Sequence, residues 1–240
     1  MYFNVKIADV IIGVNYKYDY TFKVFSDYIV SNELTPAFTV NVTDEMIEFE
    51  RKVNEKFPPS LVENIAVFRY IAKEVIKNYN CILFHSSAIA YDDNAFLFTA
   101  KSGTGKSTHV KMLANADSKI SYVNDDKPFI RYFENENKFY VYGTPWMGKH
   151  NLGSNVRVPL KAVCFLTRGE TNSITKVNPL DYLNEIFTQT VKPNEVNSVD
   201  SFTNVISALT TNVDFYLLKC NLNDDAPLTS LNGMIKKYAK

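Results

Sequence analysis

The chain has 240 residues, of which 46% are hydrophobic and 14% aromatic, and its 26 basic side chains balance 26 acidic ones. This composition is typical of a folded globular protein and excludes a mainly disordered chain. A formal net charge of zero gives no general attraction to nucleic acid or to an anionic membrane, so neither is expected as a partner.

The first residues and the cysteines favour a soluble, cytoplasmic protein. Met1 to Val14 mixes polar and charged residues among apolar ones, unlike a secretory signal, and no apolar run is as long as a membrane span. The three cysteines are far apart in sequence, and two of them lie in apolar runs, which predicts packed free thiols.

In chain order, the first third of the sequence predicts strands and then a long helix. Tyr2 to Lys17 and Phe38 to Val42 are rich in β-branched and aromatic residues, while Tyr18 to Val30 is compatible with a short helix or another strand. Apolar residues recur at helical spacing from Leu61 to Ile76, with Ser60 as the expected cap. We expect residues 1–80 to form a small N-terminal α+β lobe packed on a catalytic core of residues 81–240.

The remainder alternates strands and helices, which predicts an α/β core with a mixed β-sheet. Ile82 to Tyr91 and Ala95 to Thr99 form a predicted hairpin that feeds a glycine-rich loop. The later predicted elements are a helix at Thr108 to Ala114, a strand ending at Tyr122-Val123, a hairpin of Phe129 to Phe133 with Phe139 to Tyr142, a buried strand at Leu160 to Leu166, helices at Pro179 to Thr188 and Ser201 to Leu209, a strand at Asp214 to Lys219, and a terminal helix from Leu228.

The glycine-rich loop, Ala100 to Ser107, matches the P-loop pattern except that alanine occupies the first glycine position. The two glycines allow successive backbone N–H groups to turn inward, and together with the next helix N-terminus they attract phosphate oxygens. The alternative is a glycine-rich turn that binds no ligand. The predicted nucleotide-binding residues are Ser102, Gly103, Thr104, Gly105, Lys106, Ser107 and Thr108, with Lys106 reaching the outer phosphates and Ser107 offering its hydroxyl to Mg²⁺.

Two carboxylates, Asp125 and Asp126, follow the short apolar strand after the loop helix. If that strand lies beside the loop strand, one carboxylate can hold magnesium while the other accepts the proton of an attacking hydroxyl. The alternative is a solvated turn before Pro128.

The histidines are assigned by their neighbours in sequence. His85 lies in the apolar run before the loop, and a hairpin would bring it near phosphate or metal, although a lone strand histidine is usually structural. His109 is expected on the helix surface, and His150 is left open. The segment from Gly143 to His150, with Lys149 and the only tryptophan, is either a loop that closes over the substrate or a turn anchored by a packed tryptophan.

His85, the loop and Asn124-Asp125-Asp126 at a strand end together resemble the HPr kinase and phosphoenolpyruvate carboxykinase superfamily, over about Phe84 to Phe187. The resemblance is greatest to small kinases similar to the catalytic domain of HPr serine kinase. It implies that Asp125 is the catalytic base, that Asp126 and Ser107 hold Mg²⁺, and that His85 lies beside the transferred phosphate, with the roles of the two aspartates exchangeable.

The resemblance also makes Arg157 a candidate phosphate contact, and Lys161 to Lys176 is similar to the carboxykinase strand and loop near the adenine. The chain has only five arginines and is about half a carboxykinase in length, so the carboxykinase reaction is not expected. The HPr kinase signature for phosphorolysis is absent, and residues 1–80 do not match that kinase's N-terminal domain. We therefore do not expect HPr itself to be the substrate.

The leading hypothesis is a Mg²⁺-dependent kinase that transfers the ATP γ-phosphoryl group to a serine-type hydroxyl of a peptide, a protein or a small molecule. The alternatives are an ATP-sensing partner protein without chemistry and an ATPase. The sequence does not identify the acceptor, the oligomeric state or the preference for ATP over GTP.

Overall fold

The computed structural model describes residues 1–192 and 199–238. The chain divides into two compact units, Met1–Tyr79 and Asn80–Lys240. The expectation that the N-terminal lobe packs on the core stays a prediction.

The first unit is a four-stranded sheet in the order β3-β1-β2-β4, with three helices. Its elements are β1 (Tyr2–Ile7), β2 (Val10–Asn15), α1 (Asp19–Phe25), β3 (Ile29–Val30), β4 (Phe38–Asn41), α2 (Asp44–Val53) and α3 (Pro59–Asn78). The segment from Tyr18 to Val30 thus contains both a helix and a short strand.

The start of α3 differs from the prediction. Ser60 was expected to cap this helix, but the cap position is Pro58, no side chain caps the helix, and the first helical residue is Pro59. Proline at the first helical position needs no backbone N–H partner and already has a helical φ, so two prolines replace a polar cap.

The carboxylate of Glu63, on α3, is fully buried and serves as the polar centre of the first unit. It accepts hydrogen bonds from the backbone N–H groups of Lys17 and Tyr18 and from the Thr21 hydroxyl, the last two at 3.1 and 2.7 Å. These bonds fix the chain where β2 leads into α1. A buried acidic side chain is tolerated here because several donors surround it.

Replacing Glu63 with alanine is expected to destabilise the first unit by about 3 kcal/mol, because it leaves three buried or half-buried donors without their acceptor. Native-state hydrogen exchange of the β1 and β2 amides measures the loss. The control, Glu48→Ala, removes an exposed carboxylate from α2 and is expected to change the opening free energy by less than about 0.5 kcal/mol. Equal effects of the two substitutions would contradict the role given to Glu63.

The second unit is built on a mixed sheet in which the described strands follow the order β5-β9-β10-β11-β7-β6-β8, with β13 paired to β11 and β12 to β13. Its strands are β5 (Cys81–Leu83), β6 (Ser87–Tyr91), β7 (Asn94–Thr99), β8 (Ser121–Asn124), β9 (Phe129–Phe133), β10 (Lys138–Tyr142), β11 (Arg157–Arg168), β12 (Ser173–Val177) and β13 (Asp214–Cys220). The prediction of a mixed α/β fold is confirmed.

Two strand predictions in this unit are wrong. Ile82 to Tyr91 is not one strand: β5 pairs with β9, whereas β6 pairs with β7 and β8, and the chain changes partners at His85-Ser86. The segment expected to be a loop after Leu166 contains β12, which pairs antiparallel with β13. Strand pairing over long sequence separations, rather than local pattern, decides both cases.

Helices cover both faces of this sheet: α4 (Lys106–Ala116), α5 (Leu183–Gln189), α6 (Val199–Asn212) and α7 (Ala226–Gly233). Every residue of β7 is buried, and its side chains alternate between the two faces. Leu97 packs in the cluster that includes α5 and α6, and Phe98 packs in the cluster that includes α4 and α7. This double burial explains the continuous apolar run before the glycine-rich loop.

His109 was expected on the surface of the loop helix and is instead 3% exposed, so that prediction is wrong. Its Nε2 lies 2.8 Å from the Ser230 hydroxyl of α7, and its ring lies 5.4 Å from that of Phe98. Burial lowers the pKa of His109 to about 4, which makes it a neutral core residue near pH 7.

Cys81, Cys164 and Cys220 are free and buried, as predicted. Across the described ranges, the structure contains no helix that is both long enough and apolar enough to span a membrane.

Candidate active site

The ends of three strands meet at one edge of the second unit's sheet. β7 and β11 are parallel, with Thr99 opposite Phe165, so the residues that follow both strands emerge side by side. The sequence left open whether the strand before the aspartates, β8, lies beside the loop strand, and β8 in fact pairs with β6, one strand further away. Because β6 is antiparallel to both β7 and β8, these two strands still end at the same edge.

The glycine-rich loop joins β7 to α4, and its conformation depends on two glycines. Gly103 has φ +77° and Gly105 has φ +118°, a region that residues with a Cβ rarely adopt. A Cβ atom at either position would meet no atom within 4 Å, so backbone conformation rather than crowding requires glycine there. The space beside both glycines is open, and Ser102, Ser107 and Thr108 are exposed to solvent.

Two further contacts shape the loop. The Thr104 hydroxyl donates to the Lys101 carbonyl at 2.7 Å. Arg168, at the end of β11, donates from Nη2 to the Gly103 carbonyl at 2.8 Å. Arg168 was not among the predicted site residues. The sequence did offer one signal for it, because Arg168 is a cation at the end of a buried strand, and that strand lies parallel to the loop strand.

Lys106, the first residue of α4, lies in the field of the two aspartates. Burial is the largest influence on its ammonium group and lowers its pKa, while Asp126 and then Asp125 act in the opposite direction. The charges of both aspartates therefore act on the ammonium group of the loop lysine.

Asn124 holds the two aspartates in a fixed turn. It is fully buried, and its side-chain oxygen accepts the N–H groups of Asp126 and Lys127 at 2.9 and 2.6 Å. Its amide donates to the Thr144 carbonyl and hydroxyl at 3.1 and 3.0 Å. This side chain thus ties the acidic turn to the segment that begins at Gly143.

The two carboxylates have different surroundings. Asp125 is buried, and its Oδ1 accepts the Gly148 N–H at 2.6 Å. Asp126 is only partly buried and contacts the Nε2 of His85 at 3.2 Å and the ammonium group of Lys127. Burial acts to raise the pKa of Asp126, but the hydrogen bonds from His85 and Lys127 hold it well below its ordinary value, so this carboxylate is ionised near pH 7.

His85 is anchored on both sides. Its Nδ1 lies 2.9 Å from the Gln189 side-chain oxygen, its backbone N–H donates to the Gln189 carbonyl at 2.7 Å, and its carbonyl accepts the Thr99 hydroxyl at 3.0 Å. The imidazole is therefore fixed between the acidic turn and the end of α5. Gln189 was not predicted, because 104 residues separate it from His85 in sequence.

The remaining predicted contacts are less central. Lys149 is exposed, next to the Gly148 that bonds Asp125. Arg157 begins β11, whereas the loop lies beside the other end of that strand, and its guanidinium stacks on the rings of Tyr140 and Phe133 at 3.8 and 4.6 Å. The structure does not bring Arg157 to the loop.

No protein-family model and no curated protein matches this sequence. Among solved structures, the chain is similar to the HPr(Ser) kinase/phosphatase from Coxiella burnetii, with 13% sequence identity and a TM-score of 0.39 over 65% of this chain and 92% of that one. The similarity is one of fold and of low degree.

Proposed function

We propose that this protein is a magnesium-dependent kinase that transfers the γ-phosphoryl group of ATP to a serine-type hydroxyl. One observation carries the proposal: the glycine-rich loop after β7 and the acidic turn after β8 leave the sheet at the same edge, where Asp126 lies 3.2 Å from Nε2 of His85. The charges of both aspartates also act on Lys106 of that loop. A lysine at a glycine-rich loop, a carboxylate able to hold magnesium and a second carboxylate able to accept a hydroxyl proton are groups that phosphoryl transfer uses.

The residues present fit ATP and Mg²⁺. Open space lies over the two glycines, and the backbone there has the conformation that turns N–H groups toward an anion. Ser107 and Asp126 supply the hard oxygen donors that magnesium prefers. In the described part of the chain, no group of three or more histidine, cysteine or acidic side chains is arranged to hold a metal. A magnesium ion held by one hydroxyl and one carboxylate would complete its octahedral shell with phosphate oxygens and water.

Bound MgATP supplies the phosphoryl group and the positive charge that neutralises it. The loop N–H groups and Lys106 would orient the phosphate chain, and Ser107 and Asp126 would hold the metal. Asp125 accepts the proton of the acceptor hydroxyl on Oδ2, because Oδ1 already accepts the Gly148 N–H. His85 is fixed by Gln189 through Nδ1, and its Nε2, which contacts Asp126, would stabilise negative charge that develops beside that carboxylate.

Replacing His85 with alanine is expected to lower phosphoryl transfer by about 10- to 100-fold, the worth of one hydrogen bond to a charged group in the transition state. The measurement follows [γ-³²P]ATP with the acceptor present, or its slow hydrolysis in the absence of an acceptor. The matched control is His150→Ala, which removes an exposed histidine and is expected to leave the rate unchanged.

Product analysis in the same experiment separates the alternatives. A kinase leaves the label on the acceptor, an ATPase releases all of it as inorganic phosphate, and a nucleotide-sensing protein binds MgATP without either product. Equal rates for His85→Ala and His150→Ala would contradict the role given to His85.

A further inference from the structure

A cavity of about 350 Å³ lies between the glycine-rich loop, the ends of β11 and β13, and α5. Its volume falls within the range of roughly 300–1,000 Å³ that small-molecule sites occupy. Ala100, Phe165 and Leu166 are its buried apolar residues, and Tyr182 stacks on Phe165 with ring centroids 4.8 Å apart and planes 12° apart. The cavity therefore combines an apolar floor with the glycine-rich loop at its edge.

The position of the cavity places it near the part of the site where the acceptor hydroxyl would meet the γ-phosphate. Lys101 and Thr104 of the loop line it, and so does Gln189, whose side chain bonds the ring of His85. His85 in turn contacts Asp126. The resemblance placed Lys161 to Lys176, the segment that supplies Phe165 to Thr167 of this cavity, near the adenine. Gln189 instead ties the cavity to the imidazole and acidic groups, which would face the γ-phosphate end of a bound nucleotide.

The chemistry of the walls indicates what the cavity binds. Its polar side chains are mostly uncharged hydroxyls and amides, among them Thr167, Asn184, Thr188 and Gln189. Its two charged residues, Lys101 and Glu185, have opposite signs, so the walls carry no net charge that would select a strongly charged acceptor. Hydroxyls and amides around an apolar floor suit a small, uncharged molecule with several hydroxyl groups.

We infer that this cavity is the acceptor site and that the acceptor is a small, uncharged, polyhydroxylated molecule, an assignment that rests on the proposed kinase function. The acceptor oxygen bonds to the γ-phosphorus, the bond from that phosphorus to the bridging oxygen of ADP breaks, and the hydroxyl proton passes to Asp125. The products are a phosphate monoester and ADP.

The test places a bulky side chain at the edge of the cavity, where it would exclude an acceptor. Thr188 is exposed on α5, and its hydroxyl bonds the carbonyl four residues earlier at 2.6 Å. Thr203, on α6, is exposed, makes the same type of bond at 2.8 Å and does not line the cavity. Thr188→Trp therefore places a large ring in the cavity, and Thr203→Trp is its matched control.

MgATP affinity is measured by calorimetry, and transfer of ³²P from [γ-³²P]ATP is followed to glycerol, myo-inositol, D-ribose and D-glucose and to a mixture of serine-containing peptides. We expect label on at least one of the polyols or sugars. Thr188→Trp is expected to lower that transfer by about tenfold or more while MgATP affinity stays within about twofold. Thr203→Trp is expected to change neither quantity.

Three results would overturn the assignment. A tenfold loss of MgATP affinity in Thr188→Trp alone would place the nucleoside in the cavity. Transfer to the peptides that Thr188→Trp leaves intact would place the acceptor elsewhere, and a wild-type protein that binds MgATP but labels none of the polyols or sugars would exclude this acceptor class. Failure of the wild-type protein to bind MgATP is a separate result, because it rejects the kinase proposal itself.

Discussion

Asp125→Asn is expected to lower phosphoryl transfer by roughly 10²–10⁴-fold and to leave MgATP affinity within a few-fold, because a general base acts only when the hydroxyl attacks. Asparagine keeps an oxygen that accepts the Gly148 N–H, so the turn is preserved while the basic oxygen is lost. Asp126→Asn is expected to weaken MgATP binding and turnover together, because a metal ligand acts in both the bound state and the transition state.

Nucleotide affinity is measured by calorimetry. Phosphoryl transfer is measured by following labelled phosphate, either as it is released or as it appears on the acceptor. Asp224→Asn, which alters an exposed carboxylate of the same unit, is the control and is expected to change neither quantity. If Asp125→Asn abolishes binding while Asp126→Asn spares it, the two roles are exchanged. If neither substitution affects transfer, the acidic pair is a structural turn and the kinase proposal loses its chemical basis.

The parts of the site that the sequence predicted are those whose chemistry is local. Gly103 and Gly105 need backbone conformations that other residues avoid, and the signal for that lies within eight consecutive residues. The acidic pair follows an apolar strand directly, so its place at a strand end was also readable. The short range of these patterns is what made them recognisable.

The contacts that position those groups come from distant segments and have no local signal. Gln189 reaches His85 across 104 residues, and Arg168 reaches Gly103 across 65. Which strand lies beside which decides both contacts, and a mixed sheet with parallel crossovers allows many orders for the same strand pattern. For this reason the sequence left the neighbour of β8 open.

The error at His109 has a different cause. A histidine on an amphipathic helix suits either face, and the face is decided by the partner helix, here α7 with Ser230. The cap of α3 is a third case, because two prolines and a serine compete for the same helix start and the prolines prevail.

Lys106→Ala is expected to have the largest effect on nucleotide binding. Lys106 is the loop cation on which the charges of both aspartates act. Without it, the negatively charged phosphates would face two carboxylates without the loop's positive side chain between them. One hydrogen bond to a charged group is worth about 1.5–3 kcal/mol, so the loss in MgATP affinity is expected to be on the order of 10- to 100-fold. Lys111→Ala removes an exposed cation from the same helix, with the same change in net charge, and serves as the control.

Calorimetric titration of the intact wild-type protein, Lys106→Ala and Lys111→Ala with MgATP tests the central claim most directly. The account predicts saturable binding to the wild-type protein and to Lys111→Ala with equal affinity, and binding to Lys106→Ala that is weaker by at least about tenfold. Equal affinity in all three proteins, or no binding to any of them, would contradict the assignment of this loop as the nucleotide site.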